Sequence, residues 1–134
     1  MPEKRILIVD DEAGFTRLLK LTLERAGGYV VREENDGTRA HETARQFRPD
    51  MVFLDIVMPK IDGGDVASKL RADPLLRKTP IVFLTAIVSK KEAQSGELGG
   101  FPFLAKPVSL ENLIQCIKEN LDEVSQEVAQ NPGL

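Results

Sequence analysis

The sequence has no tryptophan, one tyrosine and one cysteine. With Tyr29 as its single amphipathic ring of that kind, it has little from which to build a base-stacking platform. One thiol, Cys116, cannot close an internal disulfide, which fits a reducing compartment. At that position it reads as a small hydrophobe in a core. Long apolar runs are missing too. The longest reach only about five or six residues, while a span across a ~30 Å bilayer takes about 20. The apolar stretch at 6–9 is too short for an export signal and has no small-residue cleavage site after it. No block of basic residues occurs and the net charge is −3. Direct nucleic-acid binding by this chain is therefore not expected, because phosphate neutralisation dominates that affinity. No repeat or low-complexity stretch is found. These absences lead to the expectation of a cytoplasmic domain that neither enters a membrane nor binds nucleic acid by itself.

What is present is alternation. The 134 residues suit one domain. Their 42% apolar content is enough for a packed core. Short runs of Val, Ile, Leu and Phe occur at 6–9, 29–32, 51–54, 81–84 and 101–105. Four are nearly continuous, as strands buried on both faces require. Helices are predicted between and after them, at about 12–25, 37–47, 64–72, 90–98 and from 110 onward. In the first, Phe15, Leu18, Leu19, Thr22, Leu23 and Ala26 recur at helical spacing before the stop at Gly27-Gly28. Ala40, Ala44 and Phe47 mark one face of the second, and Val66, Ala67 and Leu70 one face of the third. The last opens with Ser109 as N-cap and carries Leu110, Leu113, Ile114, Ile117 and Leu121. His41 reads as a surface helix residue and Asp62-Gly63 as a turn signal. The pattern predicts an α/β fold, (βα)5, with a doubly wound, flavodoxin-like five-stranded parallel sheet. Ligands in such sheets bind beyond the C-terminal strand ends, near a topological switch point.

Those strand ends carry the chemistry. The first ends in Asp10-Asp11-Glu12, the third in Asp55, the fourth in Thr85-Ala86 and the fifth in Lys106-Pro107. All leave one edge of the sheet, so these side chains should converge. Asp10 and Asp11 could each simply cap a helix, Asp55 a turn, and Lys106 could be a surface lysine; the joint placement argues otherwise. Carboxylates held close raise one another's pKa, and a divalent cation relieves the repulsion. All-oxygen ligands suit Mg2+ or Mn2+. Asp55 can then act as a nucleophile toward phosphorus. Lys106 supplies a positive charge and Thr85 a hydroxyl donor for phosphoryl oxygens, and phosphoryl transfer needs mainly positioning and charge stabilisation.

In their order along the chain these pieces resemble the receiver domains of two-component response regulators, with a chemotaxis-regulator-like fold. The matching residues are Val9-Asp10-Asp11-Glu12, Asp55-Ile56-Val57-Met58-Pro59 with Asp62-Gly63, Leu84-Thr85-Ala86 and Ala105-Lys106-Pro107. The resemblance covers about residues 4–122. It implies that Asp55 is the phosphoacceptor, and that Asp10, Asp11, Asp55 and the Val57 backbone carbonyl hold the metal. It implies that Thr85 and Lys106 sense the phosphoryl group, that Phe103 is a switch aromatic rather than plain core, and that the bond before Pro107 is cis. The implied partners are a sensor histidine kinase or phosphotransfer protein and an output partner that the sequence does not name. Output would pass through the surface of the fourth predicted helix, fifth strand and fifth helix, a surface that also allows a homodimer by analogy. Such a module is a phosphoacceptor that promotes its own phosphoryl transfer, not a turnover enzyme.

Two alternatives stay open at this level. A degenerate receiver would act only as a protein-interaction module, yet the acids and the lysine are all present. An aspartate-nucleophile, metal-dependent phosphatase would carry a second acid two residues after the nucleophile, where this chain has Val57. Val57 and Ile87 are apolar where many relatives are polar, so slow self-dephosphorylation is expected. The receiver is expected to occupy 1–124, leaving no room for an effector domain, with a flexible tail at 125–134. Leu110, Ile114, Ile117, Leu121, Val124 and Val128 are heptad-like. They read either as a helix whose first four positions face the sheet while the remainder frays, or as one that continues past the domain as a linker or dimer contact.

Overall fold

The computed structural model describes residues 2–86 and 97–122. Strand β1 (Lys4–Val9) is followed by α1 (Ala13–Ala26), β2 (Tyr29–Glu34), a 3-10 turn (Gly37–Arg39), α2 (Ala40–Phe47) and β3 (Met51–Asp55). Then come α3 (Gly63–Ala72), β4 (Ile81–Thr85), β5 (Glu97–Leu98), β6 (Phe101–Ala105), α4 (Leu110–Ile117) and a π-helical turn (Lys118–Asp122). The sheet order is β2-β1-β3-β4-β6-β5. The five strands expected from the apolar runs are all parallel neighbours. This is the doubly wound, flavodoxin-like arrangement.

The sheet separates two apolar layers, and strand alternation assigns each side chain to one of them. Leu7, Val9, Val52, Leu54, Ile81 and Phe83 meet Ala40, Ala44 and Phe47 of α2 and Val66, Ala67 and Leu70 of α3. Ile6, Ile8, Met51, Phe53, Val82 and Leu84 meet Leu19 and Leu23 of α1 and Leu113, Cys116 and Ile117 of α4. Every residue of β3 and β4 is buried, as their continuous apolar runs require. Cys116 lies in the second layer, where burial pushes its thiol up to about 11.

Several expectations are refined. The strand start moves back to Lys4, because Lys4 and Arg5 continue the ladder with Tyr29 and Val30. Periodicity sees only the buried part of such a strand. Leu18 is 61% exposed, and Thr16 is buried in its place on the inner face of α1. The adjacent leucines Leu18 and Leu19 leave the helical phase ambiguous until the sheet selects one. Leu110 is likewise exposed. The fourth predicted helix, 90–98, falls mostly outside the described residues. Its last two positions, Glu97 and Leu98, instead form the edge strand β5, antiparallel to Phe101 and Pro102 of β6. The chain turns from β5 into β6 at Gly99 and Gly100, both with positive φ. Ile87, Val124, Val128 and the tail at 125–134 also lie outside the described residues.

Helix starts follow capping chemistry. The Asp62 carboxylate accepts from the Asp65 amide at 2.9 Å, and the Ser109 hydroxyl from the Asn112 amide at 3.0 Å. Asp62-Gly63 is thus the beginning of α3 rather than a free turn. No described helix is long and apolar enough to cross a membrane.

Candidate functional site

From β1 the chain goes outward to β2, and from β2 it returns across the sheet to β3. The loops leaving β1 and β3 therefore diverge and open a crevice at the switch point. Asp11, Glu12, Asp55, Val57, Thr85, Ala86 and Lys106 line a crevice of about 320 Å³ there. Asp10, Asp11 and Asp55 each direct a carboxylate oxygen into a group spanning no more than 4.8 Å. Their burial differs. Asp10 and Asp55 are buried, whereas Asp11 faces solvent.

Asp10 is held at four points. Its amide donates to the Glu34 carbonyl at 3.1 Å. Its carbonyl accepts from Asn35 at 2.8 Å. Oδ1 accepts from the Glu12 amide at 2.9 Å, and Oδ2 receives Lys106 Nζ at 2.6 Å. The Lys106 ammonium also lies 3.7 Å from Glu12 Oε1 and 3.8 Å from Asp55 Oδ2. It sits 4.5 Å above the ring of Phe15. Burial of the ammonium works to lower its pKa. The hydrogen bond and charge of Asp10, with Asp55 and Glu12, outweigh that and raise it above the usual 10.5. It stays a cation throughout the neutral range.

Asp55 stands at the end of β3, with Oδ1 accepting from the Val57 amide at 3.3 Å. Burial, and then the charge of Asp10, push its carboxyl up to about 6 from the usual 3.8, against the pull of Lys106 and that amide. Three acids against one lysine leave the cluster short of positive charge. The donor set is all oxygen and one ligand faces solvent, which fits a hard divalent cation such as Mg2+.

Thr85 and Lys106 are brought together by sheet register. Thr85 pairs with Ala105, and the Lys106 amide donates to the Thr85 carbonyl at 2.9 Å. Phe103 does not line the crevice. It is half-buried against the α2–α3 layer, in register with Phe83. Thr85 shares that face of the sheet two positions further on. The Lys106-Pro107 bond is cis.

Three features went unread in the sequence. A Cβ at Gly63 would collide with the Asp55 carbonyl oxygen and lie 2.8 Å from Ile56 Cα. Its amide donates to the Ile56 carbonyl at 2.7 Å. Only a residue without a side chain lets α3 start this close behind Asp55, and a glycine pair opening a helix was the available signal. Asn35 is the second. The third is His41, whose Nε2 lies 2.7 Å from the buried Asp73 carboxylate, which also takes Arg45 at 2.6 Å. His41 is thus part of a clasp between α2 and the end of α3, not a plain surface residue. A larger pocket of about 600 Å³ lies between α3 and the β5–β6 hairpin. Its lining among the described residues is mainly Ile56, Met58, Phe83, Leu98 and Phe101, and the one acid among them, Asp62, is engaged as a helix cap. The smaller crevice has the chemistry.

Residues 6–118 match the family model described as the response regulator receiver domain. The chain belongs to the response regulator receiver domain family. It is accordingly a phosphorylation-controlled signalling module of the two-component type. It is 40% identical over 107 residues to the alkaline phosphatase synthesis transcriptional regulatory protein PhoP of Bacillus subtilis, covering 79% of this chain and 43% of that protein. It is 34% identical over 115 residues to the DNA-binding dual master transcriptional regulator RpaA of Synechocystis sp., covering 85% of this chain and 47% of that protein. The chain thus spans about half the length of the curated relatives it matches. Among solved structures, the chemotaxis protein CheY4 of Vibrio cholerae superimposes with a TM-score of 0.78 at 30% identity, covering 89% of this chain and 99% of that one.

Proposed function

We propose that this receiver accepts a phosphoryl group on Asp55 from a histidine kinase or phosphotransfer protein and converts it into a change of surface. The observation that carries this reading is the Asp55 carboxylate at a crevice wall beside two further acids, with the Lys106 ammonium 3.8 Å away. Asp55 attacks phosphorus. Its new O–P bond forms as the P–N bond to the donor's imidazole breaks, the electron pair leaving with that nitrogen. Asp10, Asp11, Asp55 and the Val57 backbone carbonyl would hold Mg2+ or Mn2+. When bound, that ion would supply positive charge against carboxylate–phosphoryl repulsion.

Lys106 would exchange part of its contact with Asp10 for a phosphoryl oxygen, and the Thr85 hydroxyl would donate to another. Neither group can contact bare carboxylate equally well, and that difference is what biases two conformations. Movement of Thr85 would open room on the sheet face it shares with Phe103, making Phe103 the reporting aromatic. The chain would work in the cytoplasm as a phosphoacceptor rather than a turnover enzyme, with its receiver ending near residue 124. Its output would lie in a partner or in further chain.

Intact-mass spectrometry after incubation with acetyl phosphate and Mg2+ tests this. A gain of about 80 Da (the mass of HPO₃) that needs Mg2+ and disappears in Asp55→Asn is expected. A gain that survives in Asp55→Asn, or none from either acetyl phosphate or a histidine kinase, overturns it.

A further inference from the structure

Asp10 is tied to the end of β2 through its amide, at Glu34, and to the residue just beyond it through its carbonyl. The partner of that carbonyl is the Nδ2 of Asn35, at 2.8 Å. A carbonyl oxygen only accepts, so the Asn35 atom facing it has to be the amide nitrogen. The same nitrogen lies 2.9 Å from Thr16 Oγ1. Both of its hydrogens are thereby used. Thr16 is fully buried on α1. Accepting from Asn35, its hydroxyl directs its own proton to Glu33 Oε1 at 3.0 Å or the Ala13 carbonyl at 3.1 Å. Glu33 is fixed in turn by Arg17 at 3.3 Å. Donors and acceptors match at every step, so the amide has one orientation.

We propose that Asn35, oriented by Thr16, is a positioning residue for the divalent-cation site, holding the Asp10–Asp11 backbone in its ligating shape. This rests on the reading of Asp10, Asp11 and Asp55 as that site. Asp11 is the solvent-facing member and receives its direction from the backbone that Asn35 fixes. Without Asn35, Asp10 would keep the tie from its own amide to the Glu34 carbonyl but lose the tie on its carbonyl, which is the one that holds the peptide joining it to Asp11. The carboxylates would then have to be ordered by the ion itself, which weakens binding. Partners beyond the ligands at metal sites are commonly worth about tenfold or more in affinity.

The test is a Mg2+ titration followed by amide NMR shifts of Asp11 and Val57, with urea melts in EDTA on the same proteins. Asn35→Ala and Thr16→Val are expected to weaken Mg2+ binding by about tenfold. Thr16→Ser, which keeps the hydroxyl, is expected to bind as the wild type does. Wild-type affinity in both Asn35→Ala and Thr16→Val, whatever their melts, overturns the proposal, since lost stability alone would make Asn35 only structural. Asp11→Asn separates the two layers of the argument. If wild type and Asp11→Asn bind Mg2+ equally, the site reading itself has failed. If Asp11→Asn loses binding while Asn35→Ala keeps it, only the positioning role has failed.

Discussion

The acid cluster works against the fold that presents it, and Asp55→Asn measures by how much. Asp55 has a pKa of about 6 in the folded protein, against 3.8 when free. A raised carboxyl pKa means that the folded state binds the proton more tightly than the unfolded chain does. Stability is therefore fully present below about pH 4 and falls as pH rises through about 6, where the buried carboxylate ionises. A shift of about two units corresponds to about 3 kcal/mol. That figure already includes the attraction of Lys106. Asparagine keeps the shape and the Oδ1 acceptor for the Val57 amide but carries no charge. In EDTA, Asp55→Asn should exceed wild type by about 2–3 kcal/mol near pH 7.5 and by almost nothing near pH 4. Urea midpoints at closely spaced pH values would read this directly. Mg2+ at about ten times its Kd should return about 1.4 kcal/mol to the wild type and much less to the variant. A stability difference independent of pH, or a variant less stable than wild type at pH 7.5, would refute the electrostatic account.

Three other outcomes follow from the geometry. Gly63→Ala should destabilise the protein by about 1–3 kcal/mol in urea and slow phosphoryl uptake, because the added Cβ displaces the Asp55 backbone. Unchanged uptake would show that the loop tolerates the shift. Asp73 is held near 2 rather than 3.8, first by the Leu75 amide, then by His41 and Arg45. A lowered pKa gives stability that is present above about pH 4 and lost as pH falls through about 2. The advantage of wild type over Asp73→Asn should therefore shrink across that window in acid titrations of the urea midpoint. Val57 is 62% exposed at the crevice and offers no group to orient water. Replacing Val57 by Asn and Ile87 by Glu should speed loss of the phosphoryl group by about tenfold, the scale of one good hydrogen bond. The decay of the phosphorylated mass with time checks this.

Much of this protein is written locally. The apolar runs that became β1, β3 and β4 are legible because a strand buried on both faces needs uninterrupted apolar residues, whereas β6 follows from a similar run although it is only half-buried, with Pro102 and Ala105 exposed. Ala40, Ala44 and Phe47, and then Val66, Ala67 and Leu70, announce the inner faces of α2 and α3 through helical spacing. The acids, threonine and lysine stand at strand ends, and a parallel sheet carries all such ends to one edge. Fold class and crevice composition thus followed from order along the chain. Tertiary structure decided the rest. Only the sheet chose Leu19 over Leu18, and β5 is too short to have a period. The bond from Lys106 to Asp10 joins residues 96 apart, and that between His41 and Asp73 residues 32 apart. The raised pKa of Asp55 arises from its burial and from a neighbour on another strand. Periodicity is a property of adjacent residues, whereas charge and desolvation act through space, and the space around a side chain exists only once the chain has folded.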